Sequence, residues 1–206
     1  MRNIITVFVI ALTALLFGCT ENSGPVKGKQ YDLLPVSLVD YQLAPVTEVF
    51  SLNCGHCKQM ENNIPKLEQL TGQSIGKVHV TFNESAKVGA MIYYAAETQL
   101  GKTPDHDMMT EFFAATQMGD GATLTDKKNA IDIVFHSREL VSPYDFNENQ
   151  QQQLFDAMEK AHNVTTLGQI NAVPTFIVNG KYQILTGGHS DIASIANTMN
   201  FLLTQP

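Results

Sequence analysis

Apolar side chains form a run of 14 residues from Ile4 to Phe17, and a polar, Gly- and Ser-containing stretch follows over residues 20–30. Beyond it, "VTEVFSL" (46–52) joins β-branched and aromatic residues in a strand pattern. Met60, Ile64, Leu67 and Leu70 then repeat at helical spacing, with Pro65 inside the pattern as an expected kink or break. "GKVHVTFN" (76–83) alternates as a second strand. The middle of the chain predicts helices over about 85–100, 105–119, 125–140 and 147–163, with Thr125 or Asp126 as cap of the third. Gln150 to Gln153 read as a solvated helix face. Strand character returns over 173–185, where "TFIV" and "YQIL" flank Asn179–Gly180, a hairpin turn pair. Ile192, Ile195, Ala196, Met199 and Leu203 share one face of a closing helix over 190–203.

With the helical middle removed, the order is βαβ followed by ββα, which resembles the thioredoxin order. The expected architecture is therefore α/β: a thioredoxin-like fold with an inserted all-helical subdomain. Residues 31–84 and 166–206 form the two halves of the first unit and 85–165 form the insertion. Each half alone leaves apolar sheet faces bare, so the two share one core.

Composition narrows the class. Hydrophobic residues make up 44% and charged residues 16%, a globular balance. Thirteen Lys and Arg against 20 Asp and Glu give a net charge of −7 with no basic stripe, which argues against nucleic-acid binding. At the start, Arg2 precedes an apolar run too short for a membrane span and suited to a secretory signal over 1–18. "LFGC" resembles a bacterial lipobox, although Phe17 is larger than the usual occupant. That reading implies cleavage before Cys19, acylation of its sulfur and amine, and a lipidated tether over 19–30. The alternatives are an ordinary cleaved signal or an uncleaved anchor, with Cys19 incidental. Each places the folded part where disulfides persist.

The chain has three cysteines, so a lipid on Cys19 leaves Cys54 and Cys57. Their loop is too short to cross-link much chain, which makes a structural staple a poor use of the pair. Placed at the first turn of the helix after a strand, Cys54 meets unpaired backbone amides that stabilise its thiolate. Cys57 lies one turn on and more interior, as a resolving thiol. Gly55 and His56 stand between them, and His56 is a candidate hydrogen-bond donor or charge for the Cys54 thiolate. Lys58 is read as surface solvation. Glu48, six residues before Cys54, is a candidate buried carboxylate with a raised pKa that relays a proton to or from Cys57. The bland alternative is a solvated edge-strand glutamate. In this fold context a cis Val173–Pro174 bond is expected, presenting open backbone groups opposite Cys54 to a substrate peptide. Structural zinc wants four ligands, and here one cysteine pair stands with His56, His79 and His189 unanchored. No metal or cofactor is expected beyond the Cys54–Cys57 disulfide.

The "GKQYDLL" opening, "EVFSLNCGHC", "VHVTFN" and "VPTFIVNGKYQI" occur in one order around the helical middle. In this the chain resembles the DsbA family of bacterial periplasmic thiol–disulfide oxidoreductases, over residues 28–203. The resemblance implies Cys54 as nucleophile, Cys57 as resolving partner, Val173–Pro174 as the cis-proline loop and Glu48 as the family's buried glutamate. It also implies exported proteins with free thiols as substrates and a quinone-linked membrane oxidase as reoxidant. Two departures stand at the site: Gly55 where many members have proline, and Asn53 where the familiar enzyme is aromatic.

The expected function is disulfide donation to exported proteins, by a single chain in the periplasm. It would be lipid-anchored to the inner or outer membrane; Thr20 in place of aspartate after Cys19 favours the outer. A disulfide reductase or isomerase with the same site is the first alternative. A non-enzymatic peptide-binding lipoprotein is the second, and it alone predicts that function survives loss of both cysteines.

Overall fold

The structure is a computed structural model and describes residues 24–206. The expected signal peptide and Cys19 lie outside the described residues.

Among the described residues five strands form one sheet: β1 (Tyr31–Leu33), β2 (Val46–Phe50), β3 (Ile75–His79), β4 (Thr175–Val178) and β5 (Tyr182–Ile184). Their order across the sheet is β1-β5-β4-β2-β3. β2 and β3 are parallel, as a βαβ crossover requires, and the other pairs are antiparallel. Between β2 and β3 run α1 (Gly55–Glu61) and α2 (Ile64–Thr71). The helical break thus falls just before Pro65, which occupies the first turn of α2, where its missing N–H costs no helical bond. Asn179 and Gly180 close the β4–β5 hairpin with φ of 51° and 63°, the backbone twist that a two-residue turn needs.

Four helices fill the interval from β3 to β4: α3 (Glu84–Leu100), α4 (His106–Thr116), α5 (Leu124–His136) and α6 (Glu148–Leu167). The cap of α5 is Thr123, not Thr125 or Asp126. Asp126 is the third helical residue and returns a bond to the Thr123 amide, closing a capping box. α7 (Ile192–Leu203) closes the chain.

Two apolar layers flank the sheet. On one face Ile64 and Leu67 of α2 and Ile195, Met199 and Leu202 of α7 pack on Val46, Ile75, Phe176 and Val178. On the other, Val49, Phe50, Val78 and Val80 join Tyr93, Phe112, Phe113 and Phe135 of the helical block in one cluster. The inserted helices therefore complete the sheet's core instead of forming a separate one.

Gln30 accepts a backbone bond from Leu185, and Tyr31 pairs with Ile184, so the chain is already fixed to the hairpin by residue 30.

Candidate active site

β2 ends at Phe50, and the chain turns through Ser51, Leu52 and Asn53 to deliver Cys54 as the N-cap of α1. Extended backbone at Cys54 (φ −94°, ψ 118°) aims its side chain back along the helix, where Sγ accepts a bond from the Cys57 amide at 3.3 Å. The sulfur stands where a Ser or Asp oxygen caps an ordinary helix. The Cys54 thiol also faces the Val173 carbonyl oxygen at 3.6 Å. Val173–Pro174 is cis and opens β4, so the antiparallel β2–β4 pairing carries this loop to the cysteine. Cys54 is half-buried and Cys57 fully buried. Burial, then Cys54 and the charge of Glu48, push the Cys57 thiol far above the usual thiol range, outweighing a backbone bond from Ser51.

The loop before Cys54 is held from three sides. His79, last residue of β3, accepts the Leu52 amide on Nε2 at 2.8 Å and places Nδ1 2.7 Å from the Val80 carbonyl. With one nitrogen accepting, the other carries the proton. Full burial lowers the imidazole to about 4, so it is neutral at neutral pH. His79 is thus a structural anchor and no metal ligand. Gly89 of α3 makes room for it, since a Cβ there would lie 2.7 Å from His79 Nε2. From the end of α4, Thr116 Oγ1 donates to the Leu52 carbonyl at 3.0 Å. Gln117 Nε2 donates to the Leu52 and Cys54 carbonyls at 2.8 and 3.1 Å. Asn53 Nδ2 donates to the Ser85 carbonyl at 2.6 Å.

Behind Cys57 lies a buried charge cluster. The β2–β3 register sets Glu48 opposite Lys77. Lys77 Nζ lies 2.5 Å from Glu48 Oε2 and 2.8 Å from Glu61 Oε2. Burial raises Glu48 above the ordinary carboxylate range even against the attraction of Lys77. Burial alone would lower Lys77, but the two carboxylates outweigh it and hold the ammonium charged. Glu48 Oε1 is buried with no hydrogen-bond partner among the described residues. Glu48 is therefore a buried carboxylate whose charge reaches Cys57, not a solvated edge residue.

His56 is exposed and makes no side-chain hydrogen bond among the described residues, so the structure does not place it on the Cys54 sulfur. It lines instead a surface depression of about 400 Å³ with Gln59, Met60, Asn63, Val173 and Pro174. Gly55 is exposed, and a Cβ there would meet nothing within 4 Å. Lys58 is exposed as expected of a solvating residue. Among the described residues no group of three or more His, Cys, Asp or Glu is arranged to hold a metal ion, and no helix is long and apolar enough to cross a membrane.

Lys77, Glu61, Thr116 and Gln117 escaped the sequence reading, and His79 was seen only as a possible metal ligand, not as an anchor of the loop. The one available hint was the parallel pairing of two strands that each carry a charged residue, Glu48 and Lys77.

The thioredoxin family model matches residues 43–192. The thiol:disulfide interchange protein DsbA of Pseudomonas syringae pv. tomato is 28% identical over 200 residues, covering 91% of this chain and 87% of the relative. DsbA of Azotobacter vinelandii is 26% identical over 221 residues, covering 100% and 98%. Among solved structures, DsbA from Xylella fastidiosa superposes with a TM-score of 0.69 at 17% identity, covering 87% of this chain and 96% of that one. The disulfide oxidoreductase DsbA from Proteus mirabilis gives 0.66 at 21%, covering 89% and 100%. With its paired thiols at the start of a helix, facing a cis-proline loop, the chain belongs to the thioredoxin family as a DsbA-type thiol–disulfide oxidoreductase.

Proposed function

We propose that the protein donates its Cys54–Cys57 disulfide to exported proteins in the periplasm. The observation that carries this is the asymmetry of the pair. One sulfur is accessible at a helix start, and the other is enclosed and strongly favoured as a thiol. A substrate thiolate attacks Cys54 Sγ. The bond between Cys54 and Cys57 breaks, and its electron pair goes to Cys57, which takes a proton with Glu48 as the nearby donor. The second substrate thiolate attacks the substrate sulfur of the mixed disulfide, and Cys54 leaves as a thiolate. Two substrate thiols become a disulfide, and the protein becomes a dithiol.

The depression beside Val173 and Pro174 suits an extended peptide, and His56 is its surface contact. A Proteus mirabilis DsbA solved with a non-covalently bound peptide supports peptide recognition by a chain of this fold. A quinone-linked membrane oxidase restores the disulfide, and a lipid on Cys19 keeps the enzyme at a membrane.

The test is the equilibrium of the pair with glutathione. A potential less negative than about −200 mV supports donation, and one near the about −270 mV of thioredoxin makes the protein a reductase.

A further inference from the structure

Glu48, Lys77 and Glu61 are each nearly sealed from water, and so is Cys57. Yet every turnover moves a proton to Cys57 and every reoxidation removes one. Among the described residues the hydrogen-bonded chain of Glu48, Lys77 and Glu61, whose charge is felt at Cys57, continues to a single further side chain, His106. Its Nδ1 lies 3.1 Å from Glu61 Oε1, while the other oxygen of the same carboxylate holds Lys77. The His106 side chain is 40% exposed. It opens α4 and, with Glu61, lines a cleft of about 470 Å³.

We propose that His106 is the solvent end of a proton path serving Cys57, a positioning residue that acts through Glu61. The proposal rests on the oxidoreductase reading of the site. When substrate attack breaks the Cys54–Cys57 bond, the pair of electrons on Cys57 Sγ accepts a proton from Glu48. Lys77 gives one proton to Glu48 as it takes one from Glu61, along contacts of 2.5 and 2.8 Å, so its ammonium charge persists, and His106 draws the replacement from water. Reoxidation sends one proton out by the same route.

Other charges facing His106 are placed differently. Glu68 of α2 lines the same cleft and accepts the Ile75 amide at 2.9 Å. Asp105 caps α4 through the Met108 amide at 2.9 Å. Lys102 and Asp107 are exposed on the loop and first turn. Among the described residues none of these four bonds to the buried cluster.

The experiment follows one turnover of the full-length oxidised protein with a synthetic peptide dithiol by stopped flow, for wild type, His106→Ala and His106→Gln. The medium is dilute buffer, with and without added imidazole. Loss of a proton-transfer group predicts a fall of about tenfold or more in dilute buffer for both variants. For His106→Ala, imidazole entering the vacated cleft restores the rate in a saturable manner. The solvent isotope effect of both variants exceeds that of wild type. Rates equal to wild type overturn the proposal. So does a loss that imidazole leaves unchanged in a His106→Ala protein with a wild-type unfolding transition, since that marks a packing role. If the alanine variant does not fold, the rate and isotope effect of His106→Gln decide. Wild-type turnover reports on the oxidoreductase reading and the variant ratio on the path. An inert wild type removes both; equal rates remove the path alone.

Discussion

Lys77 and Glu48 face each other across adjacent parallel strands, with Nζ 2.5 Å from Oε2 and both side chains out of contact with water. The arrangement keeps an ionisable carboxyl beside a buried thiol without leaving it an isolated charge. Burying such a pair is costly, and removing one partner costs more, because the other is left unpaired.

Replacing Lys77 by Met strands Glu48 and Glu61 together in the interior. A loss of about 3–5 kcal/mol is expected in denaturant unfolding at neutral pH. Adding Glu48→Gln to that variant removes one stranded charge and recovers part of the loss. A Lys77→Met protein as stable as wild type would show that the cluster contributes nothing to folding.

Gly55 stands at the first position of α1, with extended backbone before it and open space around its Cα. Proline is pre-organised for that position and restricts the unfolded chain. Gly55→Pro should therefore fold normally and gain about 0.4–1 kcal/mol. Thermal melts of the reduced forms check it. A destabilised variant would mean that the Gly55 amide has a partner in the native state.

His79 links stability to pH. Unfolded, it takes a proton near its ordinary 6.5; folded, it resists until about 4. Between those values the unfolded chain binds more protons, so stability present above pH 6.5 is lost as pH falls toward 4. The shift corresponds to about 3 kcal/mol. Glu48 and Glu97, both raised by burial, act in the opposite sense, favouring the fold at lower pH. Comparison with His79→Gln isolates the histidine, because glutamine can still accept the Leu52 amide. The wild-type curve should fall more steeply across this window; parallel curves would contradict the neutral, buried imidazole.

The two cysteines should differ in chemistry as they do in burial. Cys57→Ser is expected to accumulate mixed disulfides on Cys54 that resist release, whereas Cys54→Ser captures almost none. Mass spectrometry after incubation with reduced and oxidised peptide reads this directly. Alkylation of the reduced wild type should mark Cys54 first. Equal labelling of both would remove the assigned roles. A variant lacking both thiols that still oxidises peptides would end the enzymatic account.

The order of elements was legible because each carries its own local pattern. Alternation and β-branching marked β2 and β4, and Asn179–Gly180 marked the hairpin between β4 and β5. β1 carried no such pattern, since three residues become a strand only by pairing with β5. The start of α5 was misplaced because Asp126 looked like the cap when it is the reciprocal partner of one. Glu48 was found by its distance from the cysteines. Alternation set it on one side with Phe50 and Leu52, an unusual place for a carboxylate, although β2 is buried along its whole length and has no solvent face. Lys77 and His106 carry no local signal of a role in the sequence. Only the strand register and the docking of α4 bring them to Glu61.

Thr116 and Gln117 reach from the end of α4, one of the inserted helices, to the carbonyls on either side of Asn53. The reactive loop is thus gripped by a part of the chain that supplies no reacting atom. Substitutions far from either sulfur, along α4 and the helices that brace it, can loosen or tighten that grip. A lineage carrying this fold can therefore retune how readily its thiols exchange while both cysteines and everything between them stay the same.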